Sequence, residues 1–112
     1  MESHVKKSLE EWKEEISNLL NEIEIEYEEV KRELQVYSYK FNITKQVVQS
    51  TINDEIIRNI KELYHKPFET KVNQLKDTIK DLEEKKKVFQ MFVDKIDKIN
   101  GRDEHKPYAP AQ

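Results

Sequence analysis

The chain has 112 residues, a net charge of −3 and no cysteine, so disulfide bonds, thiolate metal sites and thiol catalysis are excluded. Charged residues make up 38% of it and hydrophobic residues 36%, while one glycine and three prolines leave little sequence for turns. This composition is typical of a few long helices, each with one apolar and one charged side, and it predicts an all-α fold.

The sequence carries no signal for a membrane. No apolar run approaches the roughly 18 residues needed to span a bilayer, and the segment from Met1 to Lys7 lacks the apolar core of a signal peptide. We therefore expect a cytoplasmic protein. Residues 1–33 hold eleven Glu against five basic residues, and the later segments are mildly basic, which favours self-complementary contacts within or between chains.

The first predicted helix covers about residues 3–41. Its apolar residues recur every 3.6 residues on average, which predicts a nearly straight helix in a bundle rather than a strict heptad strand. The stripe consists of Val5, Leu9, Trp12, Ile16, Leu19, Ile23, Tyr27, Val30, Leu34, Tyr37 and Phe41, with Leu20 beside it.

Residues 37–44 fit two kinds of secondary structure. Aromatic and β-branched residues alternate with polar ones there, as in a strand, but the same segment continues the helical stripe. We favour a helix because no hairpin turn offers a partner strand nearby. Asn42 or Thr44 is then the expected break before the next helix.

The second predicted helix covers about residues 45–65, and its main stripe consists of Val48, Ile52, Ile56, Ile60 and Leu63. Pro67 disfavours helical geometry at the preceding residue. It therefore predicts either the first turn of a new helix or a kink in a continuous one.

The third predicted helix covers about residues 67–100 and has a regular heptad seam, with a polar residue at Lys86 and another at its end. Asn100 and Gly101 predict the helix stop, with Gly101 in the left-handed conformation, and residues 101–112 are expected to form a disordered tail. The seam consists of Phe68, Val72, Leu75, Ile79, Leu82, Lys86, Phe89, Val93, Ile96 and Asn100.

Together these patterns predict a single helical domain over residues 1–100. It would be an antiparallel helical hairpin or a three-helix bundle with coiled-coil character. The first helix is much longer than the second, so part of a stripe would stay exposed and invite association. We therefore expect a homo-oligomer or a complex with another helical protein.

The sequence gives little support for catalysis or for cofactor or metal binding. The Glu62-x-x-His65 spacing resembles half of a di-iron site, but on the helical wheel both residues point away from the apolar stripe. None of the three histidines has a neighbouring nucleophile at a recognisable spacing, and one glycine cannot form a phosphate-binding loop. We expect no catalytic residue, no cofactor and no metal site, and therefore no enzyme.

The favoured function is that of a non-enzymatic protein–protein interaction module: an adaptor, scaffold, small chaperone or inhibitor. It would act through apolar helical stripes and coiled-coil assembly. The predicted interface residues are Trp12, Ile16, Leu19 and Ile23 in the first helix, and Leu75, Ile79, Leu82, Phe89 and Val93 in the third.

The sequence also predicts a second contact surface on the first helix. Apolar residues opposite the main stripe, together with nearby aromatic residues, suggest that it is formed by Ile25, Tyr37, Tyr39, Phe41 and Ile43.

The alternative function is a nucleic-acid-associated regulator that uses Lys80, Lys85 and Lys87 after dimerisation. The acidic net charge and the lack of a recognisable binding motif argue against nucleic acid as the main partner. Lys86 lies on the seam, where a single polar residue can fix helix register.

Overall fold

The computed structural model describes residues 2–104, with side chains as far as Gly101. It contains the helices α1 (Ser3–Ser50), α2 (Asp54–Ile60) and α3 (Lys66–Glu104), and a π-helical segment (Lys61–His65) between α2 and α3. These residues include no strand, which confirms the predicted all-α fold. No helix within them is both long and apolar enough to cross a membrane.

The first helix is longer than predicted. Residues 37–44 are helical, but α1 continues to Ser50, so the break expected at Asn42 or Thr44 is wrong. Thr44 is buried within the helix, and its hydroxyl donates a hydrogen bond to the carbonyl of Lys40 at 2.8 Å. The hydroxyl is satisfied inside the helix and is not free to cap a new one.

The actual break covers residues 51–53. The Asn53 side chain accepts hydrogen bonds from the backbone N–H groups of Glu55 and Ile56, at 3.0 and 3.1 Å. It thereby caps α2, whose first turn carries the acidic residues Asp54 and Glu55. A capping residue followed by acidic residues is a recognised helix start, so the sequence did contain the correct signal.

The π-helical segment changes which side of the chain is buried. Its i→i+5 bonding inserts one residue more than an α-helix would. Ile57, Ile60, His65 and Phe68 are half-buried, in steps of three, five and three, and the step of five spans this segment. The predicted stripe is therefore wrong here, because Leu63 is 64% exposed.

The end of α3 also differs from the prediction. Gly101 lies within the helix, which continues to Glu104, and Gly101 does not have a positive φ. The expected left-handed cap is therefore wrong. The predicted disordered tail lies outside the described residues from position 105 onward.

The chain divides into two compact units. The terminal unit comprises the described residues up to Ile25 and those from Glu83 onward, and the central unit comprises Glu26–Leu82. In each unit, a segment of α1 lies antiparallel to a segment of α3. The aromatic pair Tyr37–Phe68 and the ion pair Lys71–Glu33 show this in the central unit.

The buried side of α1 follows a stricter repeat than the apolar letters suggest. In the terminal unit its buried and half-buried residues include a regular series in alternating steps of three and four residues. A 3.6-residue stripe was expected there, so that prediction is wrong. The series is Lys6, Leu9, Lys13, Ile16, Leu20 and Ile23 in the terminal unit and Tyr27, Val30, Leu34, Tyr37, Phe41, Thr44 and Val48 in the central unit.

The α3 seam lies at the positions predicted for it. All ten are buried or half-buried, and His65 extends the same spacing by one step into the π-helical segment.

Candidate protein-binding face

The core of the terminal unit is a small apolar cluster. Ile16, Val93 and Ile96 are buried, and Leu9, Leu20 and Phe89 pack against them. Trp12 and Leu19, which were expected on the same stripe as Ile16, are each 44% exposed.

Two lysines explain why Trp12 and Leu19 are exposed rather than buried. Lys6 and Lys13 occupy the half-buried positions that the apolar pattern assigned to Val5 and Trp12. A lysine can lay its apolar stem along a core while its ammonium group reaches a carboxylate. Lys13 does so, because it forms an ion pair with Asp97 of α3. A prediction from the positions of the apolar residues alone therefore gives the wrong buried face of α1.

One side of the terminal unit is polar and internally paired. Lys13 contacts Asp97, and Lys86 forms an ion pair with Glu24. The side-chain amide of Asn100 donates a hydrogen bond to Glu10 Oε1 at 2.9 Å. The charged groups of these contacts remain partly exposed to water, whereas Asn100 is buried. This side therefore offers little apolar surface to a partner.

The hydrogen bond that Lys13 donates to Asp97 and the negative charges of Asp97 and Glu10 raise the pKa of Lys13 above its ordinary value, although partial burial acts in the opposite direction. The lysine is therefore a cation at neutral pH.

The opposite side of the terminal unit is apolar. We call it the Trp12 face. Val5, Trp12 and Leu19 are spaced seven residues apart, which places them close to one line along α1. The Trp12 ring meets the Phe92 ring edge to face, with centroids 5.6 Å apart, so α3 contributes to the same side. The face consists of Val5, Trp12, Leu19, Val88, Phe92 and Ile99, whose exposed fractions lie between 38% and 47%.

Charged residues accompany both helices of the Trp12 face. Glu15 and Glu22 border it on α1, each three residues beyond a member of the face, and both are exposed. On α3, Lys85 lies on the row of Phe92, seven residues before it, and Lys95 lies on the row of Val88, seven residues after it; both are also exposed. The face therefore has an acidic α1 side and two basic residues on its α3 side.

The other predicted interface residues are not on this face. Ile16, Ile23 and Val93 are buried and Phe89 is half-buried in the terminal unit. Leu75 and Leu82 are buried and Ile79 is half-buried in the central unit. The folded chain therefore covers these residues by itself.

The second predicted contact surface is divided in the structure. Tyr37 and Phe41 are half-buried, against Phe68 and His65 respectively.

Ile25, Tyr39 and Ile43 are exposed at 61%, 66% and 58%. Ile25 belongs to the terminal unit, whereas Tyr39 and Ile43 belong to the central unit, where Val36 and Val47 extend the exposed surface along α1. The exposed part in the central unit lies on a single helix, whereas the Trp12 face is formed by two helices.

His65 does not point away from the protein as predicted. It is half-buried, and its ring meets that of Phe41 with centroids 5.0 Å apart, because the π-helical segment turns it toward α1. Glu62 is exposed. Within residues 2–101, no group of three or more His, Asp or Glu side chains is arranged to hold a metal ion.

An open groove of about 600 Å³ lies along the central unit. It is lined by Tyr27, Lys31, Leu34, Gln35, Ser38, Tyr39, Asn42 and Ile79. The lining contains no carboxylate and no histidine, and its titratable side chains are Tyr27, Lys31 and Tyr39.

The lysines of the alternative function are all exposed on α3. Lys80 belongs to the central unit, while Lys85 and Lys87 belong to the terminal unit. Lys86, between the last two, is directed to Glu24.

Comparison with known proteins adds no further constraint, since no protein-family model, curated protein or solved structure matches this chain.

Proposed function

We propose that this protein is a non-enzymatic protein–protein interaction module, of the adaptor, scaffold, small chaperone or inhibitor kind, and that the Trp12 face is its binding surface. The observation that carries the proposal is the contrast between the two sides of the terminal unit. One side is polar and paired, whereas the other exposes a line of large apolar side chains that includes Trp12 and Phe92.

The size of the face supports this function. Its six side chains expose roughly 500 Å² of mainly apolar surface, which is near the upper end for the largest apolar patch of a monomeric protein. Large patches of this kind commonly mark interaction sites. Tryptophan and other aromatic residues also contribute disproportionately to binding energy at protein interfaces.

The shape of the face suggests the kind of partner. The face presents apolar side chains from two antiparallel helical segments, and an amphipathic helix can pack on such a surface through residues spaced three and four apart. The heptad spacing of the buried positions supports coiled-coil packing in this protein. We therefore propose that its partners are helical and that the contact is a three- or four-helix arrangement.

The proposal can be tested with a fluorescently labelled, 18-residue amphipathic Leu/Lys peptide, using anisotropy at a low protein concentration. The wild type should bind the peptide. Ile99→Lys should weaken binding at least about tenfold, because it places a charge in the centre of an apolar contact.

Ile25→Lys is the matched control. Ile25 is also an exposed isoleucine of the terminal unit, but it lies outside the face. It should bind the peptide like the wild type. If neither self-association nor peptide binding occurs, or if both variants bind equally well, the Trp12 face is not the binding surface.

A further inference from the structure

We infer that the Trp12 face binds the same face of a second copy of this chain. The resulting pair has a two-fold axis parallel to the helices, so that the α1 segment of each terminal unit lies on the α3 segment of the other copy. This inference rests on the proposed function, since it assumes that the Trp12 face is a binding surface.

The charges on the two sides of the face favour a second copy over an unrelated partner. Its α1 side is acidic, with Glu15 and Glu22, and its α3 side carries the basic residues Lys85 and Lys95. A surface with one side of each sign is complementary to itself. A two-fold interface pairs the same patch on both subunits, so the acidic side of each copy can meet the basic side of the other.

The contacts between α1 and α3 inside the terminal unit show where these charged residues lie along the helix axis. Glu10 lies opposite Asn100 and Lys13 lies opposite Asp97. Continuing the antiparallel register places Glu15 at the level of residue 95 and Glu22 near the level of residue 88.

A two-fold axis parallel to the helices preserves this level in the second copy. Glu15 then lies at the level of Lys95 of the second copy, and Glu22 lies within about one helical turn of its Lys85. All neighbouring helical segments are antiparallel in this arrangement, as in many four-helix bundles.

The other way of pairing the two faces has the opposite electrostatics. A two-fold axis perpendicular to the helices would place α1 on α1 and α3 on α3. Glu15 and Glu22 would then meet the same two residues of the second copy, and Lys85 and Lys95 would likewise meet each other. Like charges across an interface disfavour it, so these charges select the axis parallel to the helices.

The area is also sufficient for a pair. Two copies would bury roughly 1,000 Å² from the apolar side chains alone, which reaches the minimum expected of a specific interface before the charged residues are included. Trp12 and Phe92 lie near the middle of the face, where residues that contribute most to binding are usually found.

The decisive experiment is absolute mass by light scattering on a sizing column, at low salt and over a range of concentrations. The wild type should have twice the protomer mass of 13.5 kDa. E15K/E22K makes both sides basic and K85E/K95E makes both acidic. The dissociation constant of the dimer should be roughly 100-fold higher for each variant alone than for the wild type. An equimolar mixture of the two should recover the dimer.

A matched control makes a similar change of charge elsewhere on α1 of the terminal unit. In E14K/N21K the substituted residues are exposed, are seven positions apart and lie about 100° around the helix from Glu15 and Glu22, so this variant should remain a dimer. A wild type that is dimeric but unaffected by both pairs of charge reversals would overturn the inference.

A wild type that stays monomeric while binding the Leu/Lys peptide would also overturn the inference, but it would leave the proposed function intact. A monomer that does not bind the peptide would remove both.

Discussion

Asn100 is the most deeply buried polar residue among those described, with only 3% of its surface exposed. Its amide group donates to Glu10, but its Oδ1 atom is buried and accepts no hydrogen bond from the described part of the chain. A buried acceptor without a donor costs stability. A polar residue on a helical seam is often retained because it fixes register, at a cost in stability, and Asn100 fits that role.

Replacing this residue should therefore stabilise the chain. We expect Asn100→Leu to raise the unfolding free energy by about 1–2 kcal/mol, because the lone buried acceptor is removed and Glu10 remains in contact with water. Thermal unfolding followed by circular dichroism measures the change. Asn73→Leu, an exposed site of α3, is the control and should change it by less than about 0.5 kcal/mol. A lower Tm for Asn100→Leu would contradict this account.

The ion pair of Lys13 with Asp97 should give the stability a dependence on alkaline pH. The pKa of Lys13 is raised in the folded chain, so the contribution is complete below the ordinary value of 10.5 and is lost as the pH rises through the raised value. The difference in Tm between the wild type and Asp97→Asn should therefore be constant near neutral pH and shrink above pH 10.5. A difference that grows with pH would be inconsistent with the pairing.

At the scale of the elements, the identity of the buried positions decides stability. Ile16 and Ile25 lie on the same helix of the terminal unit, but Ile16 is 4% exposed and Ile25 is 61% exposed. Ile16→Ala should cost about 2–4 kcal/mol, because it removes apolar contacts and leaves a cavity. Ile25→Ala should cost less than about 1 kcal/mol. Chemical denaturation of both variants gives the comparison, and equal losses would refute the assignment of the core.

The π-helical segment makes a more specific prediction. Deleting Leu63, which is exposed, should convert the step of five between Ile60 and His65 into a step of four. The same residues then stay buried in a continuous α-helix, so the loss should be below about 1 kcal/mol.

Deleting Lys80 is the control for the Leu63 deletion. It also removes one exposed residue, but it rotates the remaining seam by about 100°. Several buried side chains would become exposed, and the loss should exceed about 4 kcal/mol. Circular dichroism and thermal unfolding compare the two deletions. Equal losses of stability in both deletions would show that the π-helical segment does not determine which helix face is buried.

At the scale of the whole molecule, the sequence predicted the helical class and the seam of α3 well. The α3 seam is composed almost entirely of apolar residues in a regular heptad, so its periodicity is visible in the letters. The buried side of α1 could not be found in the same way, because Lys6 and Lys13 occupy half-buried positions while Val5, Trp12 and Leu19 lie beside them. Two helix faces of similar hydrophobicity are possible there, and contacts with α3 such as that of Lys13 with Asp97 distinguish them.

The same ambiguity hid the candidate site. Trp12 and Leu19 were predicted as interface residues but were assigned to the same stripe as Ile16 and Ile23, which the chain itself buries. The acidic and basic sides of the face could not be recognised either, since their relation depends on the register between α1 and α3. That register follows from contacts between distant residues, such as Asn100 with Glu10.

The most direct test of the account uses Trp12, the only tryptophan in the chain. Its quenching by acrylamide should be measured as the protein concentration rises, and again with saturating Leu/Lys peptide. If the Trp12 face is a contact surface, the indole should become protected and its emission should shift to the blue as the face is covered. A quenching constant that stays at the value of an exposed indole under both conditions would contradict the central claim.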